Sequence, residues 1–182
     1  MVAGFTGRIV YFSLMLRART VQSTRLVMEI ALALETRLAA EERLRAADSS
    51  FNVETESGFS PDVGTISGQP QEQQRVFLNL CSNGMYAAVK RASDGGNVAK
   101  LSIRSRVDGD TYLVEVNDNG AGVPADIRDK IFQPFFTTKP TGEGTRLGLS
   151  VSYDIVKQHG GSTELDSEAD IGTTLRVRLP AA

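Results

Sequence analysis

The spacing of apolar residues separates a helical first part of the chain from a later part in which helices and strands alternate. Residues 8–47 are rich in Leu, Ala, Glu and Arg and contain few helix breakers, which predicts two helices with a break at 20–24. Residues 73–92 carry apolar side chains at helical intervals, which predicts a third helix. The pattern at 147–159 predicts one more helix, ended by two glycines.

Short runs of alternating apolar and polar residues predict the strands of a sheet. The predicted strands are 51–56, 64–67, 98–106, 111–116, 162–166 and 173–179. Asp108-Gly109 is typical turn chemistry for a hairpin of the third and fourth strands, and the last two strands form a second hairpin. A short helix at 127–132 and a loop rich in Gly and Pro at 137–146 lie between the hairpins. This order of elements predicts a helical segment over 1–47 and a globular domain over 48–182.

Composition and charge narrow the class of protein. A chain of 182 residues with 41% hydrophobic residues is long enough for one globular domain and an additional segment. The formal net charge of -2 provides no overall attraction to nucleic acid or to an anionic membrane. A single cysteine, Cys81, excludes an internal disulfide and a cysteine-based zinc cluster, as expected in a reducing cytoplasm. The apolar stretch 1–16 is too short for a membrane span, and helix is predicted there.

The segment Asp118-Asn119-Gly120-Ala121-Gly122 follows directly after a predicted strand. The Asp118 carboxylate can accept a hydrogen bond from an exocyclic amine such as that of adenine, and Gly120 and Gly122 allow the backbone to approach a flat ligand closely. The same residues also suit an ordinary turn, so the segment alone leaves both interpretations open.

Asn79 and Asn83 lie four residues apart on the predicted helix and therefore share one face. Their carboxamides can present oxygen atoms to a hard cation such as Mg²⁺ and can contact phosphate oxygens. Paired asparagines on a solvent-exposed face are the alternative interpretation.

A glycine-bearing segment immediately precedes the predicted helix at 147–159. Its candidate residues are Gly142, Gly144, Thr145, Leu147, Gly148 and Leu149. Free N–H groups at a helix start form an anion site suited to phosphates, although a flexible loop with an ordinary helix start has the same composition. Upstream, the aromatic stretch from Phe132 ends at Lys139, which is either a phosphate-binding cation or a solvated loop lysine.

In this order, the segments resemble the catalytic and ATP-binding domain of sensor histidine kinases, in the superfamily that includes gyrase and Hsp90. Residues 77–83 resemble the N box of the family, 118–122 and 142–149 its two glycine boxes, and 132–139 its F box. Gly172-Thr173-Thr174 resembles the final glycine turn. The resemblance covers roughly residues 51–180.

The resemblance implies a two-layer α/β sandwich with a mixed, mostly antiparallel sheet covered by helices on one face. It implies ATP and Mg²⁺ as cofactors, with Asn83 as the metal ligand, Asn79 near the phosphates and Asp118 on the adenine amine. Gly142, Gly144 and Lys139 would belong to a lid over the nucleotide, with Thr173 and Phe132 also in the ATP site.

Phosphoryl transfer to a protein is the predicted reaction, because Asn79 stands where a hydrolase of the superfamily has a glutamate base, and an amide is not a base at neutral pH. The only histidine, His159, resembles an ordinary helix-terminal residue, so the phosphoacceptor histidine is expected outside this chain. The alternatives are a degenerate pseudokinase that senses nucleotide or dimerises, and a serine or threonine kinase of the anti-sigma-factor type.

Two departures from the family pattern bear on activity. Arg146 replaces a glycine before Leu147-Gly148, where it either obstructs the phosphate site or adds a charge to it. Gly84 replaces a commoner alanine, at a cost to the helix of roughly 0.5 to 1 kcal/mol. The expected partners are a phosphoacceptor histidine domain, a response regulator and a second copy of the chain bound through the 1–47 helices, all in the cytoplasm.

Overall fold

The computed structural model describes residues 53–60, 62, 64–66, 68–95, 97–139 and 147–181. The predicted helical segment 1–47, and the glycine-bearing residues 142–145 with Arg146, lie outside these ranges.

A five-stranded sheet forms one layer of the domain. Its strands are β1 (Val53–Phe59), β2 (Ala99–Asp108), β3 (Thr111–Asp118), β4 (Ser162–Glu168) and β5 (Gly172–Pro180). Their spatial order is β1-β2-β3-β5-β4. Strands β1 and β2 pair in parallel and the other three pairs are antiparallel. The sheet is therefore mixed and mostly antiparallel, as predicted.

Two helices, α1 (Pro70–Ser93) and α2 (Gly148–Gln158), pack on one face of this sheet. Helix α1 begins with a proline, whose fixed φ and missing N–H suit the first helical turn. Phe77, Leu80 and Met85 of α1 are fully buried against Ile103 and Val114 of the sheet. Cys81 is buried in the same core. The two-layer α/β class is thus confirmed.

The other face of the sheet carries charged side chains that pair across neighbouring strands, directly opposite or diagonally. Arg176 pairs with Glu115 at 2.9 Å and with Asp166 at 3.3 Å, and Arg106 pairs with Glu115 at 2.6 Å. Burial raises the pKa of Glu115, but hydrogen bonds from the two guanidinium groups outweigh it and hold this pKa below its usual 4.5. Cross-strand pairs of this kind stabilise a sheet face that meets water.

Most predicted element boundaries are confirmed within a few residues, and two differ. The segment 64–67 does not form a strand within the described residues but only an isolated bridge at Thr65, with Ile66 buried. A side chain at Gly64 would lie 2.6 Å from the Tyr112 hydroxyl, so the backbone here approaches β3 closely. The predicted helix at 127–132 is a 3-10 helix at Ala125–Lys130.

Candidate functional site

A cavity of about 900 Å³ opens along α1 between this helix, the segment 131–139, the start of α2 and the turns that follow β3 and β4. Its lining includes buried groups of the sheet, Asp118, Thr173 and Leu175, below one side of α1. A concave site of this size, apolar with a few convergent polar groups, is the usual form of a small-molecule site.

The carboxyl of Asp118 lies at the bottom of this cavity, at the end of β3, and is only 6% exposed. Burial raises its pKa from 3.8 to about 6, although hydrogen bonds from the backbone of Gly120 and Thr173 act in the opposite direction. The Gly120 N–H donates to Asp118 Oδ1 at 2.8 Å. An added Cβ at Gly84 would lie 3.4 Å from Asp118 Oδ2, so this carboxyl also contacts α1. The cavity thus contains one desolvated acceptor in a fixed orientation.

The turn after β3 approaches other backbone segments so closely that its glycines are required. Gly122 has φ +75, and a side chain there would collide with the Glu168 carbonyl. A side chain at Gly120 would lie 2.6 Å from the Cβ of Ala87 on α1. The two glycines of the predicted turn therefore bring β3, α1 and the β4–β5 turn together at the cavity.

Farther along α1, Asn83 presents its side-chain oxygen to a cation. Lys139 Nζ donates to Asn83 Oδ1 at 3.2 Å and also lies 4.0 Å from the centre of the Tyr86 ring. The Asn83 oxygen therefore already accepts a hydrogen bond from a positively charged group of the segment 131–139. Within the described ranges no cluster of three or more His, Cys, Asp or Glu residues could hold a metal.

Asn79 connects α1 to the beginning of α2. Its Nδ2 donates to the Gly148 carbonyl and to Ser152 Oγ, both at 3.1 Å. Ser152 Oγ in turn donates to the Gly148 carbonyl at 2.8 Å. These bonds fix the first turn of α2 beside the cavity, where its N–H groups have no partners within the helix.

The structure brings most of the predicted site residues to one cavity. Those that line it are Asn79, Asn83, Asp118, Gly122, Lys139, Gly148, Leu149 and Thr173. Three others are not among the lining residues: Gly120 holds Asp118, Leu147 precedes α2, and the Phe132 ring packs 5.3 Å from the Tyr153 ring. Gly142, Gly144 and Thr145 are outside the described residues.

Several residues at the cavity were not found by the sequence analysis. Phe136 rather than Phe132 lines it from the aromatic stretch, and Tyr86, Arg91 and Asp170 contribute polar or aromatic groups. Tyr86 lies one turn after Asn83, so the shared helix face was a usable signal. Asp170 lies far away in sequence and carried no local signal.

His159 is at the end of α2 and away from the cavity. Its ring Nδ1 lies 2.8 Å from the Ile155 carbonyl, and its Nε2 lies 3.8 Å from Glu72 Oε2. These packed contacts agree with its prediction as an ordinary helix-terminal residue.

Comparison with known families gives a match over most of the described domain. Residues 68–182 match the family model described as histidine kinase-, DNA gyrase B- and HSP90-like ATPase.

None of the helices in the described ranges combines the length and hydropathy that a membrane-spanning helix needs.

Similar sequences include sensor kinases of several bacteria. The chain is 37% identical to the sensor kinase CckA of Brucella abortus over 137 residues, which are 71% of this chain and 14% of that protein. It is 35% identical to the sensory histidine kinase/phosphatase NtrB of Rhizobium leguminosarum over 150 residues, 76% of this chain and 38% of that protein. The chain thus spans well under half the length of these relatives.

Solved structures of similar fold include histidine kinase domains. The catalytic domain of histidine kinase ThkA is 25% identical with a TM-score of 0.69, and the match covers 87% of this chain and 94% of that one. The mycobacterial sensor histidine kinase MprB, at 23% identity and a TM-score of 0.67, shares the fold, with 88% of this chain and 97% of that one covered.

Proposed function

The chain belongs to the histidine kinase-, DNA gyrase B- and HSP90-like ATPase family, and on this premise we propose that it is the ATP-binding catalytic domain of a two-component sensor histidine kinase. It transfers the γ-phosphoryl group of ATP to a histidine outside this chain. The observation that carries the proposal is a single cavity along α1. Two groups line it: the buried carboxyl of Asp118 and the side-chain amide of Asn83, whose oxygen already binds a cation.

The adenine is recognised by Asp118. Its oxygen that is not held by Gly120 accepts the exocyclic amine, and the apolar cavity wall packs on the ring. A carboxylate in this position favours a base that donates a hydrogen bond and disfavours one that presents a carbonyl.

The phosphates lie toward Asn83 and the start of α2. The N–H groups of the first turn of α2 and the Lys139 ammonium provide positive potential for the triphosphate. Asn83 fits Mg²⁺ because its oxygen is a hard donor that already contacts a cation, and one such ligand suffices where phosphates complete the coordination. Mg²⁺ would supply charge neutralisation at the phosphates.

Transfer to a protein is favoured over steady hydrolysis by the distribution of carboxylates. Among the described cavity-lining residues, carboxylates occur only at Asp94, Asp118 and Asp170, on the end of α1 and on the turns of the sheet. The turn of α1 at Asn79 offers an amide, which is engaged with α2 rather than available as a base. A histidine acceptor needs positioning and charge neutralisation more than a base.

The remaining chain and the partners follow from the same proposal. Residues 1–47 form the end of a dimerisation helix and a connector, through which two copies associate, and 48–182 form the ATP-binding domain. The phosphorylated histidine then passes its phosphoryl group to a response regulator, and all these steps take place in the cytoplasm.

Calorimetric titration with ATP, in Mg²⁺ and in a chelator, tests the binding step. We expect binding that is tighter with Mg²⁺, and we expect Asn83→Ala to lose this difference because it removes the metal ligand. Asn97→Ala, at an exposed position outside the cavity, is the matched control. Absence of any heat at millimolar Mg·ATP would overturn the proposal.

The transfer step is tested with γ-labelled ATP and a purified histidine-bearing domain of a related sensor kinase. Phosphohistidine is hydrolysed in acid, whereas phosphoserine and phosphothreonine survive it. We expect a label that acid removes. An acid-stable label on the acceptor would contradict histidine as the target.

A further inference from the structure

The guanidinium of Arg91, at the C-terminal end of α1, binds four backbone carbonyls in two different turns. Its Nη1 donates to the carbonyls of Asn119 at 2.9 Å, Gly120 at 3.2 Å and Ile171 at 3.2 Å, and its Nη2 donates to that of Asp170. One side chain thus connects α1, the turn after β3 and the β4–β5 turn.

These two turns also contact each other directly. The Asp170 N–H donates to the Ala121 carbonyl at 3.0 Å, and Asp170 has the unusual φ of 60 for a residue with a side chain. Four carbonyl dipoles that converge on one point repel one another unless a cation lies between them. The planar, permanently charged guanidinium meets this requirement better than an ammonium, because its donors point in several fixed directions.

The contact reaches Asp118 through a single peptide group. The carbonyl of Asn119 accepts from Arg91 at 2.9 Å, and the N–H of Gly120, which belongs to the same peptide group, donates to Asp118 Oδ1 at 2.8 Å. Displacement of this turn would therefore move the donor that orients the buried carboxyl.

Resting on the proposed function, we infer that Arg91 is a positioning residue that holds Asp118 in the orientation for adenine and thereby sets the preference for adenine over guanine nucleotides. Guanine presents a carbonyl where adenine has its amine, so an oriented carboxylate distinguishes the two bases. Direct binding of phosphate by Arg91 is disfavoured by distance, because eight helical residues beyond Asn83 correspond to a rise of about 12 Å.

The test compares Arg91→Met with the wild type, using adenosine, inorganic tripolyphosphate with Mg²⁺, ATP and GTP as separate ligands in calorimetry. Arg75→Met, an exposed arginine on the same helix and outside the cavity, is the matched control. We expect Arg91→Met to bind adenosine and ATP about tenfold more weakly or worse, and to lose most of the ATP-over-GTP preference. The tripolyphosphate affinity of Arg91→Met is expected to equal that of the wild type. Arg91→Lys is expected to recover part of the preference for ATP over GTP.

A folded Arg91→Met protein with wild-type adenosine affinity and base preference would overturn the inference, as would a selective loss of tripolyphosphate binding. If Arg91→Met does not fold, Arg91→Lys and Arg91→Gln, which keep donors near the carbonyls, are measured with the same ligands and the same criteria. Failure of the proposed function is distinguishable, since the wild type itself would then not bind Mg·ATP.

Discussion

Replacement of Asp118 by asparagine removes a charge that the folded protein keeps out of water, while the shape of the side chain is preserved. The pKa of this carboxyl rises from 3.8 to about 6 on burial. At pH 8 the charged form therefore costs the folded state about 3 kcal/mol relative to the unfolded chain. The substitution removes this cost. It also weakens one of the two backbone hydrogen bonds that the carboxylate accepts, and this loss destabilises the folded state by about 1 kcal/mol.

The expected net effect at pH 8 is a stabilisation of about 1 to 2 kcal/mol, or a rise in Tm of about 3 to 6 °C for a domain of this size. The sign of its pH dependence follows from the direction of the pKa change. The folded protein binds this proton more tightly than the unfolded chain, so the wild type gains stability from Asp118 as pH falls from 7 toward 4. The advantage of Asp118→Asn should therefore shrink over this range and vanish near pH 4.

The same substitution is expected to weaken adenosine binding by about tenfold, because the charged acceptor for the amine is lost. Adenosine is the proper ligand for this assay, since phosphate groups themselves titrate near pH 6. Wild-type affinity for adenosine should fall below about pH 6, where the carboxyl of the free protein becomes protonated, while the affinity of Asp118→Asn stays flat.

Thermal unfolding and calorimetry between pH 4 and 8 measure both effects, with the exposed Asp154→Asn on α2 as the matched control. A stability difference between wild type and Asp118→Asn that does not vary with pH would refute the desolvation argument. Unchanged adenosine affinity would refute the role in adenine recognition, whatever the stability result.

Three further substitutions have expected outcomes. Asn79→Ala should lower stability by about 1 to 2 kcal/mol in urea unfolding, because both bonds from its amide to α2 are lost, and Ser152→Ala should lower it less. Glu115→Gln should lower the free energy of unfolding by about 1 kcal/mol at pH 7, because it removes the ion pairs of Glu115. The folded state lowers the pKa of Glu115, so the wild type loses the same ion pairs by protonation as pH falls below 4.5, and the difference between the two proteins should disappear there. Gln73→Met should stabilise the protein by about 1 kcal/mol, because the buried Gln73 amide has no hydrogen-bond partner among the described residues. A lower urea midpoint for Gln73→Met than for the wild type would contradict this reasoning.

The parts of the fold and site that the sequence predicted are those determined by nearby residues. Asn79 and Asn83 share a helix face because of the helical repeat, and both line the cavity. Asp118 ends a strand and precedes two glycines, which identified the turn from five consecutive residues. The two hairpins followed from alternation and turn chemistry in the same way.

Contacts between residues distant in sequence could not be predicted. Lys139 meets Asn83 across 56 positions, and Arg91 meets Asp170 across 79. Arg91 and Lys90 are the basic residues in the last turn of α1, where a favourable interaction with the helix dipole is an adequate local explanation of both. Its four carbonyl partners depend on the register of β3 with β5, which no local pattern specifies. The close approach of Gly64 to Tyr112 in β3 is another contact of this kind.

The two ends of the cavity are held by different kinds of contact, and this has a consequence for specificity. At the adenine end, Asp118 is fixed by backbone groups of the sheet and its turns, with Arg91 as the added side chain. At the other end, side-chain bonds join separate elements, Lys139 to Asn83 and Asn79 to Gly148 and Ser152. Under the proposed function, the Asn83 end can exchange its internal cation contact for a phosphate or Mg²⁺ contact, while the Asp118 end keeps its geometry. Substitutions at Asp118 should accordingly weaken adenosine and ATP by the same factor, whereas substitutions at Asn83 should weaken Mg·ATP and leave adenosine unaffected.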